Sequence, residues 1–168
     1  GTGSLFVFLR LYNLIVKRLA IAKQLAVDKD GEVQVSLPHV ALEGIREGAH
    51  DSNHVYETFV SLLCSQVEGH GDSTRYETQV RQLLGNNAYE LYTMDKLIAH
   101  AYKQLKAMGD DDILHQFIQI YRRYHKYTGV FKPNAIKSEA SHWSSDEVFG
   151  IEMYRDEEGV LTMACEYI

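Results

Sequence analysis

A chain of 168 residues is long enough to bury most of its apolar surface in a single domain. Apolar content of 45% and charged content of 24% are globular values that exclude wholesale disorder. A net charge of −6 excludes a surface that is basic all round, so any contact with nucleic acid must use a local patch.

That charge is unevenly placed. Arg10, Lys17, Arg18 and Lys23 fall between Leu5 and Val27 with no acid among them, whereas eight acids follow from Glu139 onward against Arg155 alone. Such asymmetry can orient a partner, although it is usually solvated surface. Cys64 and Cys165 are too few for a disulfide framework or a Cys-rich zinc site and suit a reducing compartment. Gly1-Thr2-Gly3-Ser4 has the look of a cloning scar and is set aside, leaving residues 5–168 as one domain.

The first predicted helix runs from Leu5 to Val27. Leu5, Phe8, Tyr12, Ile15, Leu19, Ala22 and Ala26 recur in steps of three and four, the spacing of one helical face. Leu11, Leu14, Ile21 and Leu25 widen that stripe beyond half the circumference. The run is long enough to span a membrane, but four cations within it make that costly. A helix this apolar must be central to the fold or dock a second chain.

Asp28 to Gly31 breaks the pattern, and residues 32–52 read mostly as loop with room for a short helix. A second helix starts at Asp51 or Ser52, either a good N-cap, and carries Val55, Phe59, Leu62, Leu63 and Val67. Glu68 to Asp72 ends it. Thr74 and Glu77 have the form of a capping box for a third helix, which buries Tyr76, Val80, Leu83 and Leu84 and stops at Gly85. Asn87 and Glu90 repeat that capping logic for a fourth helix reaching Met108. A fifth spans Asp111 to Tyr127, with acids at its N-terminus and a core face of Ile113 or Leu114, Phe117, Ile120, Tyr121 and Tyr124. Thr128 to Ser145, with Pro133, reads as loop.

The period then changes to two. Phe149-Gly-Ile-Glu-Met-Tyr-Arg155 and Val160 to Ile168 alternate around a Gly-containing turn, which predicts a β-hairpin over about 148–167. Phe149, Ile151 and Met153 would face the core from one strand, Leu161, Met163 and Cys165 from the other. An isolated hairpin is marginal, so it should lie on the helices. The expected architecture is mainly α: one domain of about five helices with a C-terminal hairpin packed on it.

Four features bear on function. Projecting the fourth helix at about 100° per residue puts Ala88, Leu91, Met94, Ile98, Ala101, Tyr102, Leu105 and Met108 on one arc, with Asp95 inside it. A lone buried carboxylate costs several kcal/mol or takes up a proton, so Asp95 should be bonded to a neighbouring Tyr, Arg or backbone N–H. A catalytic role would need a second acid or a histidine assigned to it, and no motif supplies one. Asp95 is therefore read as a structural buried polar residue.

Four histidines stand three residues after an acid: Glu47/His50, Asp51/His54, Asp112/His115 and Glu139/His142. Di-iron bundles use that step, but they add further glutamates and need helical context, so no metal or other cofactor is expected. Tyr121 to Tyr127 is the dense basic-aromatic cluster, with Arg122, Arg123 and Lys126 on an exposed face. It reads as a solvated helix end whose cations complement the dipole, or as a contact for an acidic partner or nucleic acid. Phosphate-loop, G-x-S-x-G and H-E-x-x-H patterns do not occur, and nothing argues for an enzyme.

Three stretches carry a resemblance: Phe8 to Lys23 (FLRLYNLIVKRLAIAK), Arg75 to Ile98 (RYETQVRQLLGNNAYELYTMDKLI) and Lys103 to Leu105 (KQL). Together they resemble the C-terminal domain of the Sin-three transcriptional corepressors, the paired amphipathic helix proteins. The closing hairpin resembles the family's more loosely, and the match covers 5–27, 53–108 and 146–168. The resemblance implies a nuclear, non-enzymatic scaffold that assembles a class I histone deacetylase with other corepressor subunits. No binding residue carries over from the family; Arg10, Lys17, Tyr121, Arg122, Arg123 and Lys126 are taken as surface candidates for partner contact, with contact to nucleic acid or a nucleosome through 121–127 as the alternative. No membrane or small-molecule substrate is expected.

Overall fold

The computed structural model describes residues 1–30, 52–128, 133–143, 148–155 and 161–167. Its elements in chain order are α1 (Gly3–Asp30), α2 (Ser52–Val67), α3 (Ser73–Leu84), a 3-10 helix (Asn86–Leu91), α4 (Met94–Gly109), α5 (Asp112–Thr128), α6 (Pro133–Trp143), β1 (Phe149–Arg155) and β2 (Leu161–Tyr167). The mainly α class and the C-terminal hairpin are as expected. The strands pair antiparallel with Phe149 opposite Tyr167, Ile151 opposite Cys165 and Met153 opposite Met163. That register puts each alternating set on a common face. No helix among the described residues is long and apolar enough to cross a membrane.

The expected short helix in 32–52, apart from Ser52 itself, and the hairpin turn lie outside the described residues. Where the loop 128–145 was expected, α6 forms instead. Pro133 opens that helix, a position where its missing N–H costs nothing, and Ile136 and Ala140 bury one turn apart.

The chain divides into two compact units, Tyr12–His100 and Gly1–Leu11 with Ala101–Ile168. In the first, the core is Ala22 and Ala26 of α1, Phe59 and Leu63 of α2, Tyr76, Val80 and Leu84 of α3, Ala88 and Leu91 of the 3-10 helix, and Met94 and Leu97 of α4. Several members of the expected stripes are not in it; Tyr12, Leu14 and Val67 are exposed. Helix α1 is thus less enclosed than its composition suggested, since its largest side chains are at best half-buried.

The cap of α3 also differs from the predicted box. Asp72 is the N-cap and its carboxylate accepts from Arg75 N–H at 3.2 Å, while Glu77 pairs with Arg81 at 2.7 Å. A better acceptor one residue before the helix displaces the threonine two residues further on. At the other end Gly85, at φ +86°, lies where a side chain would be strained.

The predicted fourth helix is two elements. Asn86–Leu91 winds as a 3-10 helix without a side-chain cap, so Asn87 caps nothing, and α4 begins at Met94. A 3-10 helix turns about 120° per residue instead of about 100°, so six residues rotate the following stripe by roughly 120°. Leu97 accordingly takes a buried place, while Tyr102 and Leu105 face outward.

In the second unit, Phe117, Ile120, Ala140 and Val148 form a core flanked by Ile113, Tyr124 and Ile136. Phe6 stacks on Phe149 at 4.8 Å with the rings nearly parallel, which fastens the hairpin to α1. Tyr121, expected inward, is half-exposed. Asp111 caps α5: its carboxylate accepts from Leu114 N–H at 2.9 Å and from Ser4 Oγ at 2.7 Å. Partial burial alone would raise its pKa; bonds from Leu114, Ser4, Thr2 and Ile113 outweigh it and hold the carboxyl below its ordinary value. Asp111→Ala should therefore lose about 0.5–2 kcal/mol at neutral pH. A depressed folded pKa stabilises above the unfolded value and is lost as pH falls through the folded one, so the deficit should shrink in acid. Urea titrations of both chains at pH 7 and pH 3 check this; a deficit independent of pH would mean that the charge is not involved.

Candidate functional site

The residues singled out in the sequence do not converge on one place. Asp95 sits in the first turn of α4, where its charge suits the helix dipole. It lies about 130° round α4 from the centre of the Met94–Leu97–Ala101 stripe, on the flank and not within the buried arc, because the expected phase assumed one continuous helix. Gln66 Nε2 of α2 donates to its Oδ2 at 3.4 Å, a long bond. Its Oδ1 is shielded from solvent with no hydrogen-bond partner among the described residues, as are Gln66 Oε1 and Arg18 Nε.

Around it, polar groups from three helices, α1, α2 and α3, meet the segment that starts α4. Arg18 Nη1 of α1 donates to Thr93 Oγ1 at 3.2 Å, and Tyr76 Oη of α3 donates to the Leu91 carbonyl at 3.1 Å. Burial, with the Asp95 charge second, pushes the Tyr76 phenol well above its ordinary value and keeps it a donor. These contacts tie the 3-10 helix and its exit to α1 and α3. Sequence reasoning missed Tyr76, Arg18 and Gln66 as partners of this segment. A tyrosine at a core position of α3 was the available signal, since a buried phenol must find an acceptor.

The basic-aromatic cluster is partly spent on the fold. Arg123 Nη1 pairs with Glu139 of α6 at 2.8 Å, and Glu139 also accepts from Tyr124, which holds that phenol above its ordinary value. Glu139 was read as a member of an acid-x-x-His pair in a loop; it is a clamp between α5 and α6. Arg122 is exposed, and the side chain of Lys126 lies outside the described residues. Arg10 is exposed and lies over the Phe6 ring at 5.8 Å, and Lys17 is exposed. Among the described residues no three His, Cys, Asp or Glu side chains group as a metal site requires.

A groove of about 330 Å³ opens in the unit built from the chain ends, walled by Leu5, Phe117, Ile120, Ile136, Val148 and Ile151, with Tyr121 and Lys137 also lining it. Its lining is mainly apolar, with Glu152 the carboxylate among the described residues that reach it.

Six helices and a short antiparallel hairpin among the described residues define a mainly α protein. The family model described as the C-terminal domain of Sin3a protein matches residues 1–164, a wider span than the three stretches that suggested it. The chain belongs to this family, the Sin3 paired amphipathic helix proteins, which are transcriptional corepressors. It is 28% identical over 123 residues to paired amphipathic helix protein Sin3-like 1 of Arabidopsis thaliana, covering 72% of this chain and 8% of the relative. Paired amphipathic helix protein pst1 of Schizosaccharomyces pombe is 29% identical over 133 residues, 73% of this chain and 9% of the relative. For Sin3b of Mus musculus the figures are 28% over 140 residues, 72% and 12%. The chain thus spans about a tenth of the length of these curated relatives.

Proposed function

We propose that the chain is a non-catalytic scaffold domain of a transcriptional corepressor, working in the nucleus and holding subunits of a class I histone deacetylase complex together by protein–protein contacts. Family membership supports the corepressor part of this reading. The observation that carries the scaffold part is one side of α1, where Tyr12, Val16 and Val27 are left exposed along the helix. A contiguous apolar stripe left exposed marks a surface for interaction, where singly scattered apolar side chains would not. Arg10 and Lys17 beside that face, and Tyr121 and Arg122 on α5, are the proposed partner contacts. The alternative of a nucleic-acid face at 121–127 is weakened by the engagement of Arg123 with Glu139.

The tagged chain, expressed in cells, is expected to recover a class I histone deacetylase and its activity from nuclear extract above the level of tag alone. Recovery at the level of the tag would overturn the reading.

A further inference from the structure

Tyr12, Val16, Ala20, Lys23 and Val27 follow one another along α1 in steps of four, four, three and four. That spacing draws one continuous stripe about 22 Å long on a helix. All five are exposed, with Tyr12 at 55%, Val16 at 46% and Val27 at 50%. Ala22 and Ala26, which are fully buried, point about 100° round the helix from the centre of this stripe, so the stripe is an exposed flank beside the face that anchors α1 in the fold. Its side chains are mostly short, which lets a second helix approach closely.

The charge on this face has one sign. Lys23 interrupts the stripe, Lys17 stands at its margin, and no acid occurs from Leu5 to Val27. We propose that the α1 face from Tyr12 to Val27 docks an amphipathic helix of a partner protein whose apolar stripe is flanked by glutamate or aspartate. The proposal rests on the scaffold reading and adds the chemistry of one partner.

Other occupants fit less well. A second copy laid symmetrically on this face would set Lys17 and Lys23 against their own counterparts, a like-charge pairing that opposes association. Two exposed lysines neutralise too few phosphates for a nucleic-acid duplex to be the ligand. A membrane-surface helix needs bulky apolar residues opposite a strongly basic face, whereas here valine and alanine share the face with the lysines.

The test uses the whole 168-residue chain and a displayed library of 18-residue helical peptides. Leucines are fixed along one face of each peptide and the flanking positions are randomised. The selected peptides should be enriched in acids at the flanks. In fluorescence-anisotropy titrations, Val16→Glu should weaken the selected peptide at least tenfold. The Lys17→Glu, Lys23→Glu pair should do the same and should gain binding of a peptide whose acids are changed to lysine.

A basic or uncharged consensus would overturn the proposal, as would indifference to the charge reversal. So would binding that appears after deletion of residues 31–50, which would give the face to the chain's own segment. A self-association removed by Val16→Glu would assign it to a second copy. Binding of a DNA duplex or phosphatidylserine vesicles lost with the two lysines would assign it to those ligands. Should Val16→Glu lose its helical circular dichroism, the lysine pair decides alone. Deacetylase recovery by the charge-reversed chain is a separate readout: if it persists while peptide selection fails, the scaffold reading stands and this proposal does not.

Discussion

Replacing Phe59 with alanine should cost the chain about 3–5 kcal/mol, the range for deleting an enclosed aromatic ring. Phe59 has no exposed surface, is among the largest fully buried side chains, and has the Tyr56 ring tilted against it at 6.4 Å. Its removal subtracts the transfer free energy of the ring and leaves a cavity that helix backbones cannot close. A domain of this size holds roughly 5–15 kcal/mol in total, so the variant should be marginal at best. Urea unfolding followed by circular dichroism measures the loss. Val67→Ala, at an exposed position of the same helix, serves as control and should stay within about 0.5 kcal/mol. A Phe59→Ala loss below about 1 kcal/mol would mean that the ring is not enclosed.

The second large effect belongs to Tyr76. Tyr76→Phe keeps the ring and removes one hydroxyl, which leaves the Leu91 carbonyl without its 3.1 Å donor. A buried acceptor deprived of its partner costs about 1–3 kcal/mol. The same hydroxyl gives the protein a specific alkaline sensitivity. Burial and the Asp95 charge raise the folded phenol above its ordinary value of 10, so the unfolded chain loses this proton first as pH rises. The folded state then binds more protons than the unfolded one, and stability falls above pH 10 by up to about 1.4 kcal/mol per pH unit. The advantage of the parent over Tyr76→Phe should thus narrow between pH 10 and pH 11. An advantage that stays constant or grows over that interval would place the phenol in solvent.

Much of the fold was legible where one local signal sufficed. Tyr76, Val80 and Leu84 repeat every four residues and end at Gly85, and α3 forms over that range with those residues buried. Phe117 and Ile120 marked α5 in the same way, and the two-residue period after Gly150 marked the hairpin. The misses have a common cause, which is that the deciding term lay elsewhere in the chain. Pro133 signals a loop when read alone and a first turn once Ile136 and Ala140 have a core to enter. The phase of α4 depended on the winding of the six residues before it.

The candidate sites were less legible, because exposure depends on what packs against a residue. Tyr12 and Ala22 both lie on the apolar pattern of α1; one is more than half exposed and the other not at all. Arg122 and Arg123 are neighbours in sequence, yet the carboxylate of Glu139 engages Arg123. A pattern identifies which side chains are available for contact. The remainder of the chain decides which of them the domain keeps for itself.

The segment between Gly85 and Met94 has a consequence for how this domain can vary. It works as an angular spacer: its residue count, more than its side chains, sets which way the next helix points its stripe. One residue gained or lost in its 3-10 turn would swing Met94, Leu97 and Ala101 by about 120° and lift them toward water together. Substitutions at its exposed positions, such as Asn86, Asn87 and Tyr89, carry no such penalty. Across relatives of this chain, the exposed positions of the segment should drift in spelling while Ala88, Leu91 and its length hold.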